Sequence, residues 1–505
     1  MTEPSPSRSG TSARTVAQAI RSGAVAAALT LAFNLLILPF VLDRLGADLY
    51  GAWIALSALV AVGSLADAGI GTEIARRVAA AHGAADRAGF MRVVHVGTSA
   101  MLLMVTPVAV GAIVGAPLLA RLVLPDGVTG YSTTQVETVI RLLALVMAAN
   151  LVLGAHFATL RGLQRSDLQA LSQVSALPPY GLALLVGILA GWGLWSLLVA
   201  QVVTSVVVGA MQWRALRRLA PDLRLRFPRA PLPVLASYLS LSVLALLSQL
   251  GDVVDSQWDK LVISHFIDPT SVTAFHVGTM VVLQAKVLAL LPLTPLLAGI
   301  SELRVRRSDE ALGLQRRLMK AAGATSAVVL GGVYAFTPAF LELWLGAGYE
   351  QAGTIARIFT IAVALNVVSA PLAIQAFGEQ RHHVAAASAF ANMAVNVVAS
   401  LVLTVQIGLY GAVLGSVIGN LSGTVVLIVL SRRHLAAWVR PPWAAPLVAV
   451  VAVALVVLTG LDAAQSWLSL VGVGAGFVVV TSACAARAEG IGVADVRTVL
   501  RPGPG

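Results

Sequence analysis

Three acidic residues near the middle of the chain are spaced so that they could do chemistry inside an apolar helix. Asp252, Asp255 and Asp259 lie in the stretch QLGDVVDSQWDK, within an apolar run from Val234 to Ser264. Spacings of three and four put them on one side of a helix. Because each ionised acid costs roughly 3 kcal/mol at the bilayer centre, such residues normally face water or a protein-lined interior. The acids therefore indicate a polar cavity or an ion-coupling site, with interfacial anchoring as the alternative for Asp255 and Asp259.

A lone cation lies at mid-depth in the next apolar run, 272–298. This residue, Lys286, is the only basic residue in the middle of an apolar run. A shielded cation suits the binding of an anionic group, since charge-assisted contacts gain strength where water is scarce. The alternative is a lysine that snorkels or pairs with an acid of the preceding run.

Other polar residues in or beside the apolar runs are further candidates for a cavity and its two mouths. Asparagine amides can bind sugars, although bonding to a neighbouring helix is commoner. Arginines at the ends of apolar runs can meet a substrate, but interfacial anchoring also places them there. The candidates are Asn34, Asn150, Asn366, Asn392 and Asn396 for hydrogen bonding, Arg44 and Arg141 for the outer mouth, Arg76 and Arg77 for the cytoplasmic mouth, and Asp67 for orienting a turn or the base of a cleft.

The composition predicts an all-α polytopic membrane protein. Of 505 residues, 58% are hydrophobic and 11% are charged, and the mean hydropathy is +0.87. Soluble proteins carry about 25% charged residues. The net charge of +11 does not indicate nucleic-acid binding, because the arginines cluster in short segments between apolar runs. The single cysteine, Cys484, excludes an intrachain disulfide.

About fourteen apolar runs are long enough to cross a bilayer. They are 22–42, 53–72, 93–120, 138–158, 170–190, 194–213, 234–264, 272–298, 321–341, 355–376, 384–405, 410–430, 444–461 and 467–486. With a cytoplasmic N-terminus, 28 of the 34 Lys and Arg residues fall in cytoplasmic segments and five fall outside. This asymmetry predicts that both termini are cytoplasmic.

The chain also carries an internal repeat. Residues 140–165 match 356–381 at an offset of 216, and 193–219 match 408–435 at an offset of 215. Repeats of six spans run parallel, related by an axis along the membrane normal, and leave a central cleft suited to alternating access. The predicted organisation is a disordered tail (1–19), a first six-helix lobe (20–220), a linker (221–233), a second six-helix lobe (234–435), two extra helices (436–486) and a cytoplasmic tail (487–505).

Several motifs resemble those of polysaccharide-exporting flippases. The first two runs read LDRLGADLYGAW and SLADAGIGTEIARRVAAAHGAAD, which match an LG-x-x-x-YG-x-W turn, a D-x-G-[IL] step and a basic cytoplasmic end. LRGLQRSDLQAL, DKLVISHF and the G-L-[WY] openings of spans six and twelve are similar too. The resemblance covers about residues 20–435. Lipid II flippases also have fourteen spans, but the arginine-rich first span usual in them has no counterpart between Gly23 and Leu42.

This resemblance implies the multidrug/oligosaccharidyl-lipid/polysaccharide exporter superfamily, with two MATE-like six-helix lobes. It implies a flippase that moves polyprenyl-diphosphate-linked oligosaccharide across the bacterial cytoplasmic membrane. The partners would be that substrate, membrane lipids, and a glycan polymerase or glycosyltransferases, with no cofactor or metal. Lys286, Arg44, Asn34, Asn150 and Asn366 are the predicted substrate-binding residues.

Two other functions compete with the flippase. A cation-coupled multidrug exporter of the same fold would use Asp252 or Asp255 as its ion site, but that subfamily usually has twelve spans and an acid in the first. A membrane glycan polymerase or ligase needs a sizeable outer loop with catalytic residues. The longest outer segment, 121–137, contains neither His nor Cys. The chain also lacks a G-x-x-x-x-G-K-[ST] loop, so ATP hydrolysis is not expected.

Overall fold

The regular elements of the structure are helices. The computed structural model describes residues 10–67, 69–223, 238, 243–290, 308–378, 381–432, 444–461 and 466–489, and this part contains no β-strand beyond one isolated bridge. Its α-helices are α1 (Gly10–Gly63), α2 (Ile70–Gly83), α3 (Arg87–Val114), α4 (Ala116–Val123), α5 (Thr133–Gly162), α6 (Ser166–Leu189), α7 (Leu194–Leu219), α8 (Val243–Phe266), α9 (Pro269–Leu290), α10 (Ser308–Leu345), α11 (Glu350–Gly378), α12 (His382–Ile407), α13 (Leu409–Ser431), α14 (Ala444–Leu458) and α15 (Trp467–Glu489), with a 3-10 helix at Ser64–Asp67 before α2.

These helices confirm the predicted all-α membrane fold. Ten helical segments of the described part are long and apolar enough to cross a bilayer, and α14 adds a shorter apolar stretch, Leu447–Leu458. Large apolar side chains point outward on several helices, as with Val206, Leu458 and Leu468. Outward-facing apolar surface of this kind is compatible with lipid rather than water. The chain is a multi-pass membrane protein.

The first predicted run, 22–42, and most of the second, 53–72, lie in the single helix α1, which contains one residue with non-helical φ and ψ. The second run continues into the 3-10 helix and α2. Gly46 has φ 80° and ψ 163° inside α1, a conformation that only glycine adopts readily. A Cβ at Gly46 would meet no atom within 4 Å, so the requirement for glycine is conformational. The LG-x-x-x-YG-x-W motif therefore marks the place where one helix ends and the next begins.

Other helix ends also differ from the predicted bounds. The run 93–120 is divided, because α3 ends at Val114 and α4 begins at Ala116. α1 begins at Gly10, inside the segment 1–19 predicted as a disordered tail. That segment has no proline after Pro6 to oppose a helix.

The chain divides into two compact units. The first is Met1–Gln257 with Asp268–Thr270, and the second is Trp258–Ile267 with Ser271–Gly505. In the first unit, α2, α3, α5 and α7 share a core. Its fully buried large side chains include Ile70, Ile74, Met101, Leu160 and Leu216.

In the second unit, α14 and α15 pack against α10. Phe336 and Phe340 of α10 make edge-to-face ring contacts with Phe477 and Trp467 of α15, with centroids 5.6 and 5.9 Å apart. Gly331 of α10 lies beside the Phe477 ring, which a Cβ at Gly331 would approach to 3.3 Å. α15 is thus held to α10 by aromatic contacts, and α14 packs against α10 through Ala449 and Ala327.

The second unit is built around the contact between α12 and α13. Four residues of α13 spaced four apart are glycine, and they form its glycine face: Gly411, Gly415, Gly419 and Gly423. Five residues of α12 spaced four apart are polar, and they form its polar ridge: Ser388, Asn392, Asn396, Ser400 and Thr404. A Cβ added at Gly419 or Gly423 would lie 2.7 Å from the Cβ of Asn396 or 3.0 Å from that of Asn392. Small residues at this spacing let two helix backbones approach closely in a membrane.

We expect Gly415→Ala to destabilise the protein, because the new methyl group would collide with the backbone of Ser400. Overpacking of this kind costs about 1–3 kcal/mol. Thermal unfolding of the detergent-purified protein measures the loss. Gly476→Ala on α15 is the matched control, since a Cβ there meets nothing within 4 Å. Equal melting temperatures for the two variants would show that the glycine face is not tightly packed.

Candidate functional site

Asp67 lies at the start of α2. Its Oδ1 accepts a hydrogen bond from the Gly71 backbone N–H at 3.0 Å, and Gly69, between them, has φ 75°. A Cβ at Gly71 would lie 3.1 Å from Nη2 of Arg161 and 3.3 Å from Asp67 Oδ1, so the carboxylate and the guanidinium flank the same backbone position. Asp67 therefore satisfies a free N–H in the first turn of α2, where a negative charge is also favourable.

Arg76 and Arg77 share one acid, Glu73. Arg76 donates to its two oxygens through Nε at 2.8 Å and Nη2 at 2.6 Å, and Arg77 Nε donates to Oε1 at 2.6 Å. The Glu73 side chain is buried, whereas that of Arg76 is mostly exposed. Hydrogen bonds from Arg76 and then from Arg77 hold the pKa of Glu73 below its ordinary value, so the acid stays ionised. Of the two, Arg76 is the arginine open to an incoming anion.

Arg77 is further held by an aromatic ring. Its guanidinium carbon lies 4.0 Å from the ring centroid of Tyr238, whose hydroxyl donates to the Val93 carbonyl oxygen at 3.2 Å. Tyr238 is buried. A cation over a buried ring is fixed in position, which makes Arg77 a link between α2 and α3.

The predicted substrate-binding residues of the first unit lie on two helices, with Asn34 and Arg44 on α1 and Asn150 on α5. Asn34 is half-buried in α1, whereas Asn150 is exposed and its Nδ2 donates to Ser205 Oγ of α7 at 3.0 Å. Arg44 is exposed and pairs with the adjacent Asp43 at 3.4 Å. An exposed ion pair of this kind contributes little to stability.

Three different helices carry the remaining predicted residues. Asn366 of α11 is half-buried, and its carbonyl oxygen accepts from Ser369 Oγ at 2.9 Å. Lys286 of α9 is half-buried and forms no ion pair with any residue the structure describes. The side chains of Asp252 and Asp255 lie outside the described residues.

Asp259 is the acid of α8 whose side chain the structure describes, and it is buried, with 2% of its surface exposed. Ser416 of α13 donates to Asp259 Oδ2 at 2.7 Å. Asn396 of the polar ridge points its Nδ2 at Ser416 Oγ at 3.5 Å, and Asn420 Nδ2 donates to the Ser416 carbonyl oxygen at 2.9 Å. These side chains bring α8, α12 and α13 together in one buried polar cluster.

The cluster carries oxygen atoms that hard cations prefer. Asn396 is fully buried, and its Oδ1 accepts no hydrogen bond from the described residues. Ser400 Oγ and Thr404 Oγ1, further along the polar ridge, are buried in the same way. Such orphaned polar atoms are costly in a protein interior. Together with the Asp259 carboxylate and Ser416 Oγ, the Asn396 amide oxygen supplies the donor type that binds small cations. No trio of His, Cys, Asp or Glu suited to a transition metal occurs in the described residues.

The internal repeat contains a signal for this site that sequence reasoning missed. Asp43-Arg44-Leu45 and Asp259-Lys260-Leu261 have the same pattern at the offset of 216. Asp43 is exposed beside Arg44, whereas Asp259 is buried against Ser416. Asp43 is thus an exposed acid, whereas its repeat-related counterpart accepts a hydrogen bond from a hydroxyl group of another helix.

Arg141 and Arg357 are the repeat-related arginines, and they make the same kind of contact. Arg141 Nε donates to the Ile113 carbonyl oxygen at the end of α3 at 3.4 Å, and Arg357 Nε donates to that of Tyr334 in α10 at 3.1 Å. Arg141 also pairs with Glu137 at 2.9 Å. Each arginine therefore clamps its helix to an earlier helix of the same unit.

Comparison with protein families agrees with the motifs quoted above. Residues 50–291 match the family model described as polysaccharide biosynthesis protein. No curated protein sequence matches the chain. The motifs thus agree with a match to this family over part of the chain and with the fold.

The fold is that of known membrane transporters. The lipid II flippase MurJ in an inward closed conformation matches with a TM-score of 0.71 at 11% identity, covering 93% of this chain and 98% of that one. A multidrug resistance MATE family transporter of the MOP superfamily, in its inward-facing conformation, matches with a TM-score of 0.57 at 17% identity, covering 81% and 98%. The outward-facing form of such a transporter matches with a TM-score of 0.53 at 16% identity, covering 84% and 96%. At these identities, the likeness shows the fold that the chain shares with them.

Proposed function

We propose that this protein is a flippase that moves a polyprenyl-diphosphate-linked oligosaccharide across the bacterial cytoplasmic membrane by alternating access. The observation that carries the proposal is the match of residues 50–291 to a polysaccharide biosynthesis family in a chain with a transporter fold. Its role is transport rather than enzymatic catalysis. Glycosyltransferases that build the substrate and a polymerase that extends it are the expected partners.

Lys286 is the residue we assign to the diphosphate. It is the one lysine or arginine of α9, a helix apolar enough to cross a bilayer, and it forms no ion pair with a described acid. A cation in such surroundings attracts a diphosphate more strongly than one in water. Asp252 and Asp255 would form a polar wall that repels the diphosphate and so aids its release. Such a difference in affinity between two states drives a conformational cycle. We assign the sugar and the outer mouth to Asn34, Asn150, Asn366 and Arg44. We assign the cytoplasmic mouth to Arg76 and Arg77, and the base of the cleft to Asp67.

The charge distribution supports an orientation with both termini in the cytoplasm. Twenty-eight of the 34 Lys and Arg residues then lie on the cytoplasmic side. The predicted six-helix lobes, 20–220 and 234–435, would move relative to one another, with 436–486 outside the moving pair.

A second proposal concerns the energy source, and it rests on the Asp259 cluster. A buried carboxylate that accepts from Ser416 Oγ, which Asn396 in turn contacts, favours binding of a proton or a monovalent cation. This assigns to Asp259 the coupling role that the sequence had suggested for Asp252 or Asp255. The cluster supports coupling for a flippase and for a multidrug exporter of the same fold alike.

For the orientation, we expect single cysteines in a Cys484→Ser background to label from opposite sides. Ala347→Cys, exposed between α10 and α11, should react with membrane-impermeant thiol reagents in intact cells. His82→Cys, exposed at the end of α2, should react only after lysis. The reverse pattern would overturn the proposed orientation.

For the substrate site, we expect Lys286→Ala to lower flipping of a lipid-linked oligosaccharide by about tenfold or more, since about 1.4 kcal/mol of lost binding is already a factor of ten. Lys286→Arg should keep part of the activity because the charge remains. Flipping per molecule in reconstituted vesicles is the measurement. Arg121→Ala removes an exposed cation of α4 and serves as the control. Full activity of Lys286→Ala would place the contact with the diphosphate elsewhere.

For coupling, we expect Asp259→Asn to abolish the response of flipping to an imposed sodium or proton gradient. The variant protein should still fold, because an Asn side chain keeps an oxygen that accepts from Ser416 Oγ. Asp43→Asn changes the repeat-related, exposed acid and is the matched control. A gradient response that survives in Asp259→Asn but is lost in Asp43→Asn would contradict the assignment.

A further inference from the structure

The last turns of α7 carry an open cavity that none of the roles above uses. Its volume is about 500 Å³, and its lining residues all belong to α7: Ala210, Met211, Trp213, Arg214, Arg217 and Arg218. The three arginines are exposed, and Trp213 is partly buried beneath them. The cavity is therefore lined by aromatic and apolar side chains on one part and by three positively charged side chains on the other.

The charge of this cavity is not neutralised within the described part of the protein. Arg214, Arg217 and Arg218 form no ion pair there, and the one contact of their guanidiniums is that of Arg217 over the Trp213 ring, at 5.5 Å. Arg87, by contrast, pairs with Asp222 at 3.0 Å just beyond α7. Three adjacent free guanidiniums match the oxygens of a phosphate group.

The surface next to the arginines on α7 is apolar and faces outward. Val202, Val206 and Ala210 are exposed at spacings of four, so they form a stripe along one side of the helix. At 1.5 Å per residue, Val206 lies about 12 Å from Arg214 along the axis. An amphiphile can therefore place an anionic head at the arginines and a hydrocarbon chain on the valines. Tryptophan at the junction is typical of a membrane interface.

We propose that this face of α7 binds an anionic phospholipid, with its phosphate on Arg214, Arg217 and Arg218 and an acyl chain along Val202 and Val206. We favour a bilayer lipid as the occupant because the stripe is both apolar and exposed. A free inorganic anion would make no use of the stripe. The proposal does not depend on what the protein transports.

The internal repeat supplies a matched control within the same chain. At the offset of 215, Arg217 and Arg218 correspond to Arg432 and Arg433, which follow α13 in the sequence. Ile428 stands in place of Trp213, and Val429 in place of Arg214. That end has basic residues for topology but lacks the aromatic floor and the third arginine. Replacement of Arg432 and Arg433 therefore measures how much general positive charge contributes to the affinity for anionic lipid.

The test is lipid binding to the full-length purified protein, measured by native mass spectrometry with phosphatidylglycerol and phosphatidylcholine. We expect the unaltered protein to retain phosphatidylglycerol in preference to phosphatidylcholine. The triple variant R214Q/R217Q/R218Q should bind phosphatidylglycerol about tenfold more weakly or worse, because each arginine at a membrane surface adds several-fold to the affinity for anionic lipid. The double variant R432Q/R433Q should keep most of the preference. An equal loss in both variants, or no loss in the triple variant, would overturn the proposal.

Competition on the unaltered protein tests the same site without any substitution. Raising the salt concentration should remove the preference for phosphatidylglycerol, since the contact is electrostatic. Inorganic phosphate should fail to displace the lipid at comparable concentration, because it lacks the acyl chain. Displacement by inorganic phosphate would identify a simple anion site instead. Tighter, one-for-one displacement by polyprenyl phosphate would identify a substrate site, and either result would overturn the assignment to phospholipid.

Discussion

The close approach of α12 and α13 is the contact on which the polar interior of the second unit depends. Helices in a bilayer gain little from the hydrophobic effect when they associate, so packing and hydrogen bonds must hold them together. The glycine face of α13 removes the side chains that would keep the helices apart, and the polar ridge of α12 fills the space. Ser388 Oγ, at one end of the ridge, donates directly to the Gly423 carbonyl oxygen at 2.8 Å. This geometry also carries Asn396 and Ser416 to the Asp259 carboxylate.

The two units use their buried acids differently. In the first unit, Glu73 in the first turn of α2 holds Arg76 and Arg77, so its charge is matched and its role is to position them. In the second, Asp259 accepts a hydrogen bond from the Ser416 hydroxyl, which Asn396 in turn contacts, and Lys260 follows it in the chain. Glu73, bound to two arginines, is therefore committed to positioning them, whereas Asp259 is bound to another helix through a hydroxyl group.

The sequence predicted the class of fold and the places of the membrane helices, because long apolar runs have few alternatives in a membrane. It did not predict that runs 22–42 and 53–72 are separated by Gly46 alone, since one residue with positive φ leaves no trace in hydropathy. The spacing of Asp252, Asp255 and Asp259 indicated a common face but not what packs against it. The burial of Asp259 depends on Ser416, more than 150 residues away, and such a contact cannot be deduced from spacing along one helix.

Arg141 of α5 and Arg357 of α11 show what the two halves of the chain share, and the acids Asp43 and Asp259 show where the halves differ. Arg141 and Arg357 brace their helices alike, whereas Asp43 and Asp259 have taken opposite environments. A homodimer of a single half must repeat every side chain under its symmetry, and would carry two buried acids or none. Fusion of the halves removes this restriction. One copy can then keep an exposed, inert carboxylate while the other holds a sensitive one, and the shared brace is unaffected.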